Sequence, residues 1–139
     1  MATTRNARAH WEGTLLEGQG TVEMTSSGIG TYPITWASRA ESADGKTSPE
    51  ELIAAAHASC FSMALSNGLA KTGNPAISLN TSVEVDFQPG VGITEIRITL
   101  SGEAENLDAE GFLAAAEDAK ANCPVSKALA AVPIKLSVV

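Results

Sequence analysis

The sequence predicts an α+β fold in which antiparallel sheets surround one long buried helix. Segments with alternating apolar residues lie on both sides of the chain's centre, and this period is typical of strands with one buried face. Between them, residues 52–70 carry no charge and form an apolar run too long for a strand. With 139 residues, 44% of them hydrophobic, the chain is sized for a single domain spanning 1–139.

The first forty residues predict three strands joined by turns rich in Gly, Ser and Thr. In the third, Tyr32, Ile34 and Trp36 alternate with less apolar neighbours. We expect an antiparallel meander, with Arg39 at the end of its last strand. The predicted strands are Ala9–Glu12, Gly20–Met24 and Thr31–Ala37.

A helix is predicted to begin at Ser48-Pro49-Glu50-Glu51, where Ser48 suits the cap, Pro49 the first helical position and Glu51 a capping box. From Leu52 onward, apolar residues point all ways round the helix for about four turns. Such a helix must be covered on every side, whereas one small sheet covers only one. The sequence therefore predicts a homodimer.

The second half predicts a hairpin, an amphipathic helix, a short helix and a closing strand. Asp108 suits the start of the amphipathic helix, and Pro124 disfavours helical geometry in the residue before it. The predicted hairpin strands are Val83–Phe87 and Ile96–Leu100, followed by a helix ending near Asn122, a helix over Pro124–Ala131 and a strand over Ile134–Val138.

Charge and composition restrict the partners. The net charge of -7 argues against nucleic acid and anionic membranes, so a small uncharged or apolar molecule is the better ligand. The uncharged segment 52–70 contains His57, Asn67, Gly68 and three serines, a poor match to a bilayer. The N-terminus has no apolar stretch after its basic residues, so we expect a cytoplasmic protein.

Two cysteines carry the candidate chemistry. In a reducing compartment their reactivity matters more than a permanent bridge. Cys60 lies within the apolar helix, where a free cysteine can also be a small core residue. Cys123 directly precedes Pro124 at a predicted helix N-terminus, where free N–H groups stabilise a thiolate.

Cleavage of a peroxide by a thiolate needs a depressed thiol pKa and a donor for the departing oxygen. Arg39 could meet both needs, although it could equally be a solvated rim charge. Glu50 is placed to orient that guanidinium, or simply favours the helix N-terminus as an acidic residue. His57 shares a helix face with Cys60 and could bias its thiolate or join both cysteines in a metal site. A buried, hydrogen-bonded histidine is the interpretation we favour.

These residues, in this order, resemble the OsmC/Ohr family of osmotically inducible protein C and the organic hydroperoxide resistance proteins. The resemblance spans nearly the whole chain. His57 before the cysteine, and Arg39 shortly before the Ser-Pro-Glu-Glu helix, favour the OsmC branch. The motifs that carry the resemblance are Ala9–Gly13, Ser48–Leu65 and Asn122–Ser126.

The resemblance implies an OsmC-like fold as an intertwined α+β homodimer with its active sites at the subunit interface. It implies a peroxidase of oxidative or osmotic stress defence, with Cys60 as peroxidatic thiol, Arg39 activating it, Glu50 orienting Arg39 and Cys123 resolving. A redox-active disulfide would form and be reopened by a dithiol, and the hydroperoxide resistance branch offers a lipoylated protein as that reductant. No metal, flavin or haem is implied.

Two other functions remain open from the residues. The first is a non-catalytic module that binds a small apolar ligand or a zinc ion at the dimer interface. The second is a stress protein whose thiols sense peroxide and do not remove it. The apolar neighbours Phe61 and Met63 would favour organic hydroperoxides over hydrogen peroxide, or they belong to the core.

Overall fold

A computed structural model describes all 139 residues. The chain divides into two compact units, Met1–Glu50 and Glu51–Val139. The α+β class predicted from the sequence is confirmed, since each unit combines helix with a three-stranded sheet.

The first unit contains an antiparallel meander with strand order β1-β2-β3. Its strands are β1 (Arg8–Glu12), β2 (Gln19–Glu23) and β3 (Thr31–Ile34), all within a few residues of the predicted positions. Trp11 pairs with Gly20 across β1 and β2. A side chain at position 20 would meet the His10 carbonyl and the Trp11 ring, so only glycine fits there.

The third strand is shorter than predicted, because it ends at Ile34 and a short helix, α1 (Trp36–Ala40), follows. Thr35 accepts a hydrogen bond from the Ser38 N–H, and the Ser38 hydroxyl accepts one from the Thr35 N–H. This reciprocal capping box stabilises the helix start and overrides the alternation that suggested a strand through Trp36. Arg39 therefore lies in a helix and not at the end of a strand.

The long helix α2 (Pro49–Lys71) begins at the predicted proline. It is followed by β4 (Ala76–Gln88), β5 (Gly92–Ala104), α3 (Ala109–Asn122), α4 (Pro124–Ala128) and β6 (Ile134–Val138). Asp108 caps α3 by accepting a hydrogen bond of 2.7 Å from the Gly111 N–H, as predicted.

The second sheet has strand order β4-β5-β6 and departs from the prediction in two respects. Its strands are not all antiparallel, because β6 pairs parallel to β5. The two intervening helices supply the long connection that a parallel pair requires. The β4/β5 hairpin is also much longer than the segments predicted for it. Outside the sheet, α4 ends three residues before the predicted Ala131.

The core of the second unit lies between α2, the sheet and α3. Phe61, Leu65 and Leu69 recur every fourth residue of α2 and are at most 1% exposed. They pack against apolar side chains of β5 and α3, namely Ile98, Leu100, Phe112, Ala116 and Ala119. This stripe fixes which face of α2 turns inward, and His57 continues it one turn earlier.

Much of the remaining surface of α2 is exposed. Met63 is 72% exposed, and only 22% of the most apolar 18-residue window of the helix is buried. By length and composition alone the helix could cross a membrane, a property it shares with core helices of soluble proteins. The sequence expectation that a second copy of the chain covers this helix stays a prediction.

Candidate active site

The two cysteines come together in the second unit although they are distant in the sequence. Both are free thiols; Cys60 on α2 is partly exposed and Cys123 is fully buried. Cys60 packs against the core cluster to which Cys123 belongs. The two side chains are close enough to hydrogen-bond to one another.

Cys123 occupies the position that its place before Pro124 predicted. It ends α3 and begins α4 with φ -54° and ψ 126°, the extended geometry favoured before proline. Its side chain makes no formal cap hydrogen bond. The backbone N–H groups of Val125 and Ser126 nevertheless lie near enough to the sulfur to lower its pKa.

The pKa values of the two thiols move in opposite directions. Burial raises the pKa of Cys60, and so does its hydrogen bond to Cys123. Burial also acts to raise the pKa of Cys123, but hydrogen bonds from Cys60, Ser126 and Val125 outweigh it and lower the pKa. Their mutual hydrogen bond therefore favours the protonated form of Cys60 and the charged form of Cys123.

His57 is fully buried beside this pair, as the favoured interpretation expected. Its Nε2 lies 2.7 Å from the hydroxyl oxygen of Ser126, and its Nδ1 has no hydrogen-bond partner. Burial lowers the pKa of His57 below its ordinary value, so the ring is neutral at neutral pH. No group of three His, Cys, Asp or Glu side chains is arranged to hold a metal ion.

Arg39 and Glu50 form an ion pair in the first unit. The Arg39 Nε lies 3.0 and 3.2 Å from the two carboxylate oxygens, and Nη2 lies 2.8 Å from Oε1. Glu50 is buried, whereas the Arg39 side chain is 31% exposed. The guanidinium is thus held in one orientation while part of it stays accessible.

Ser126 is the site residue to which the sequence assigned no role. It lies within the Asn122–Ser126 motif, but serine near a helix start ordinarily indicates only local capping. Its contact with His57 joins positions 69 residues apart, which no local pattern reports. A buried histidine in need of a partner was the one available signal.

The arrangement suits reversible thiol oxidation. Cys60 is partly exposed, Cys123 is buried beside it, and each acts as a hydrogen-bond partner of the other. An oxidised Cys60 would therefore meet a second thiol before it met another oxidant molecule. Within an α+β fold, this thiol pair has the arrangement that a two-cysteine redox protein requires.

Comparison with known proteins agrees with thiol redox chemistry. A family profile described as OsmC-like protein matches residues 42–137. The chain is 40% identical to "Peroxiredoxin OsmC" of Escherichia coli over 134 residues, covering 94% of this chain and 93% of that protein. The chain belongs to the OsmC-like family.

Two further relatives support the assignment. The chain is 34% identical to "Organic hydroperoxide resistance protein-like 1" of Staphylococcus epidermidis over 97 residues, covering 63% of this chain and 66% of that protein. A Legionella pneumophila crystal structure described as an organic hydroperoxide resistance protein OsmC superposes with a TM-score of 0.73 at 27% identity, covering 99% of this chain and 98% of that one. The predicted OsmC-like fold is thereby confirmed.

Proposed function

We propose that the protein is a thiol-dependent peroxidase that reduces organic hydroperoxides, with Cys60 as the peroxidatic and Cys123 as the resolving cysteine. The observation that carries the proposal is the adjacent thiol pair, in which Cys60 is partly exposed and Cys123 is buried. Relatives named peroxiredoxin and organic hydroperoxide resistance protein support the substrate class. The difference in burial supports this assignment of roles, because a peroxide cannot reach a fully buried sulfur.

In the first step Cys60 gives up its proton to solvent and attacks the hydroperoxide as a thiolate. A sulfur–oxygen bond forms, the oxygen–oxygen bond breaks, and the departing alkoxide takes a proton from solvent to become an alcohol. The peroxide is reduced by two electrons and Cys60 is oxidised to sulfenic acid.

In the second step Cys123 attacks the sulfur of the sulfenic acid. The disulfide forms, the sulfur–oxygen bond breaks, and the hydroxyl leaves with the Cys123 proton as water. A dithiol then reduces the disulfide, itself becoming oxidised, and restores both thiols. A lipoylated protein is the dithiol that we propose.

Arg39 and Glu50 would complete the site. The accessible part of the Arg39 guanidinium is suited to favour charge on Cys60 and to donate to the departing oxygen. Glu50 would keep that guanidinium oriented through the bidentate contact. A cation brought close to Cys60 would offset the raised pKa of this thiol, because positive charge favours the thiolate.

We further propose that the working unit is a homodimer acting as one domain per chain in the cytoplasm. The exposed apolar face of α2, with Met63 72% exposed, supports a second copy as its cover. The net charge of -7 supports a small uncharged substrate, and we propose neither nucleic acid nor membrane as partner.

A turnover assay tests the function. The protein is given cumene hydroperoxide or hydrogen peroxide, with dihydrolipoamide or thioredoxin as electron donor, and peroxide loss is followed. We expect many turnovers with the organic substrate, none in Cys60→Ser, and a Cys60 sulfenate that overoxidises in Cys123→Ser. Turnover retained in Cys60→Ser, or a single turnover with excess dithiol, would contradict the proposal.

An intact-mass measurement after mild peroxide treatment separates the enzyme from a binding module. Loss of two hydrogen atoms marks the Cys60–Cys123 disulfide and supports the peroxidase. An unchanged mass with a bound ligand or metal would support the module in its place.

A further inference from the structure

Ser126 lies between the buried histidine and the buried cysteine. Its hydroxyl is 2.7 Å from His57 Nε2, and Ser126 lies close enough to the Cys123 side chain to lower the pKa of that thiol. All three residues are nearly or fully buried, with Ser126 at 4% and the other two at 0%. The three polar side chains therefore lie next to one another where water does not reach them.

The hydrogen bonds among these three residues are donated in the direction from His57 to the Cys123 sulfur. His57 Nδ1 has no partner, and a buried N–H without an acceptor costs more than a bare ring nitrogen. The proton of the neutral ring is therefore on Nε2, which donates to the Ser126 oxygen. The Ser126 hydroxyl is left to donate to Cys123, in agreement with its effect in lowering that thiol's pKa.

We propose that His57 and Ser126 are positioning residues of the resolving step, in which His57 orients the Ser126 hydroxyl and that hydroxyl stabilises the sulfur of Cys123. The inference rests on the proposed peroxidase function and concerns its second half only. It assigns to the buried histidine a function beyond helix capping and core packing.

The chemistry of resolution explains why a donor is useful there. As Cys123 forms the sulfur–sulfur bond, its proton leaves with the hydroxyl of the sulfenic acid as water. Negative charge develops on the Cys123 sulfur while that proton is in transit. A hydroxyl donor that is already aligned stabilises this charge without reorganisation.

The test separates formation of the sulfenate from its resolution. Full-length protein is mixed with one equivalent of cumene hydroperoxide, quenched at intervals with a sulfenate-trapping reagent, and analysed by intact mass. In Ser126→Ala we expect the sulfenate to form at the wild-type rate and to convert to disulfide about tenfold more slowly, the effect of losing one hydrogen bond to a charged group. With excess peroxide, the longer-lived sulfenate should yield more sulfinic acid.

Conservative variants and a control make the result specific. Ser126→Thr keeps the hydroxyl and should restore most of the resolution rate, and His57→Gln, which keeps a donor, should resolve faster than His57→Leu. Ser62→Ala also loses a hydroxyl contact, the 2.8 Å bond to Thr81, and should resolve as wild type does. Thermal unfolding identifies variants that do not fold. If Ser126→Ala does not fold, the comparison of His57→Gln with His57→Leu still tests the proposal.

The test distinguishes failure of the peroxidase proposal from failure of the role given to Ser126 and His57. A wild-type protein that forms no sulfenate would overturn the peroxidase proposal itself. A wild-type protein that forms and resolves the sulfenate, together with a Ser126→Ala variant that resolves it equally fast, would overturn the role of Ser126 and His57 alone.

Discussion

The Arg39 guanidinium holds the buried carboxylate of Glu50 through contacts of 2.8, 3.0 and 3.2 Å that engage both carboxylate oxygens. This geometry needs the planar fork of arginine, which lysine lacks. A buried carboxylate is costly without its partner, so the pair fixes where the positive charge lies.

We predict that Arg39→Lys lowers the rate of sulfenate formation at Cys60 by about tenfold or more, because a lysine keeps the charge but loses the bidentate alignment. The measurement is the second-order rate of sulfenate formation with cumene hydroperoxide. Arg8→Lys is the matched control, since Arg8 also pairs with a carboxylate of the first unit but is 76% exposed. Equal rates in the two variants would remove Arg39 from the mechanism.

Local patterns in the sequence predicted those parts of the fold that depend on near neighbours. Asp108 caps its helix through Gly111, three residues away, and Cys123 takes an extended geometry because proline follows. Both effects act within one turn, so the sequence displays them directly. The start of α2 at Pro49 is of the same kind.

Two other features escaped prediction for physical reasons. The beginning of β4 is rich in Ser, Asn and Thr, whose alternation is not apolar, and its pairing with the opposite strand is what makes it a strand. The Ser126–His57 contact depends on how α4 docks beside α2. Tertiary packing decides both, and the sequence carries no local record of it.

His57 should make the protein's stability depend on pH. Burial lowers its pKa below the ordinary value of 6.5, so on acidification the unfolded chain binds the proton first. The free energy of unfolding therefore falls as the pH drops below 6.5, with a slope of at most about 1.4 kcal/mol per pH unit from this group.

In His57→Gln this contribution to the slope should vanish. Denaturant unfolding at a series of pH values between about 7 and about 5 measures it. His10→Gln is compared alongside as the substitution of an exposed histidine, whose side chain is 74% exposed. An unchanged slope in His57→Gln would show that the ring is not held neutral.

Leu65 should be a main contributor to the stability of the second unit. It is 1% exposed and lies in the middle of the buried stripe of α2. Leu65→Ala should lower the free energy of unfolding by about 2–5 kcal/mol, through lost burial and the cavity that remains. Leu16→Ala, at a position 75% exposed, should change it by less than about 0.5 kcal/mol, and chemical denaturation compares the two.

Met63 tests the proposed homodimer. Its side chain is 72% exposed on the uncovered face of α2, beside the 62% exposed Ile77 at the start of β4. Burying a charge in an apolar interface without a partner is costly, so Met63→Glu should shift the protein from dimer to monomer in sedimentation velocity. Val91→Glu is the control, because Val91 is 68% exposed in the turn between β4 and β5 and should leave the sedimentation coefficient unchanged. A wild-type monomer, or a Met63→Glu variant that sediments as the wild-type dimer does, would show that this face of α2 is not the subunit interface.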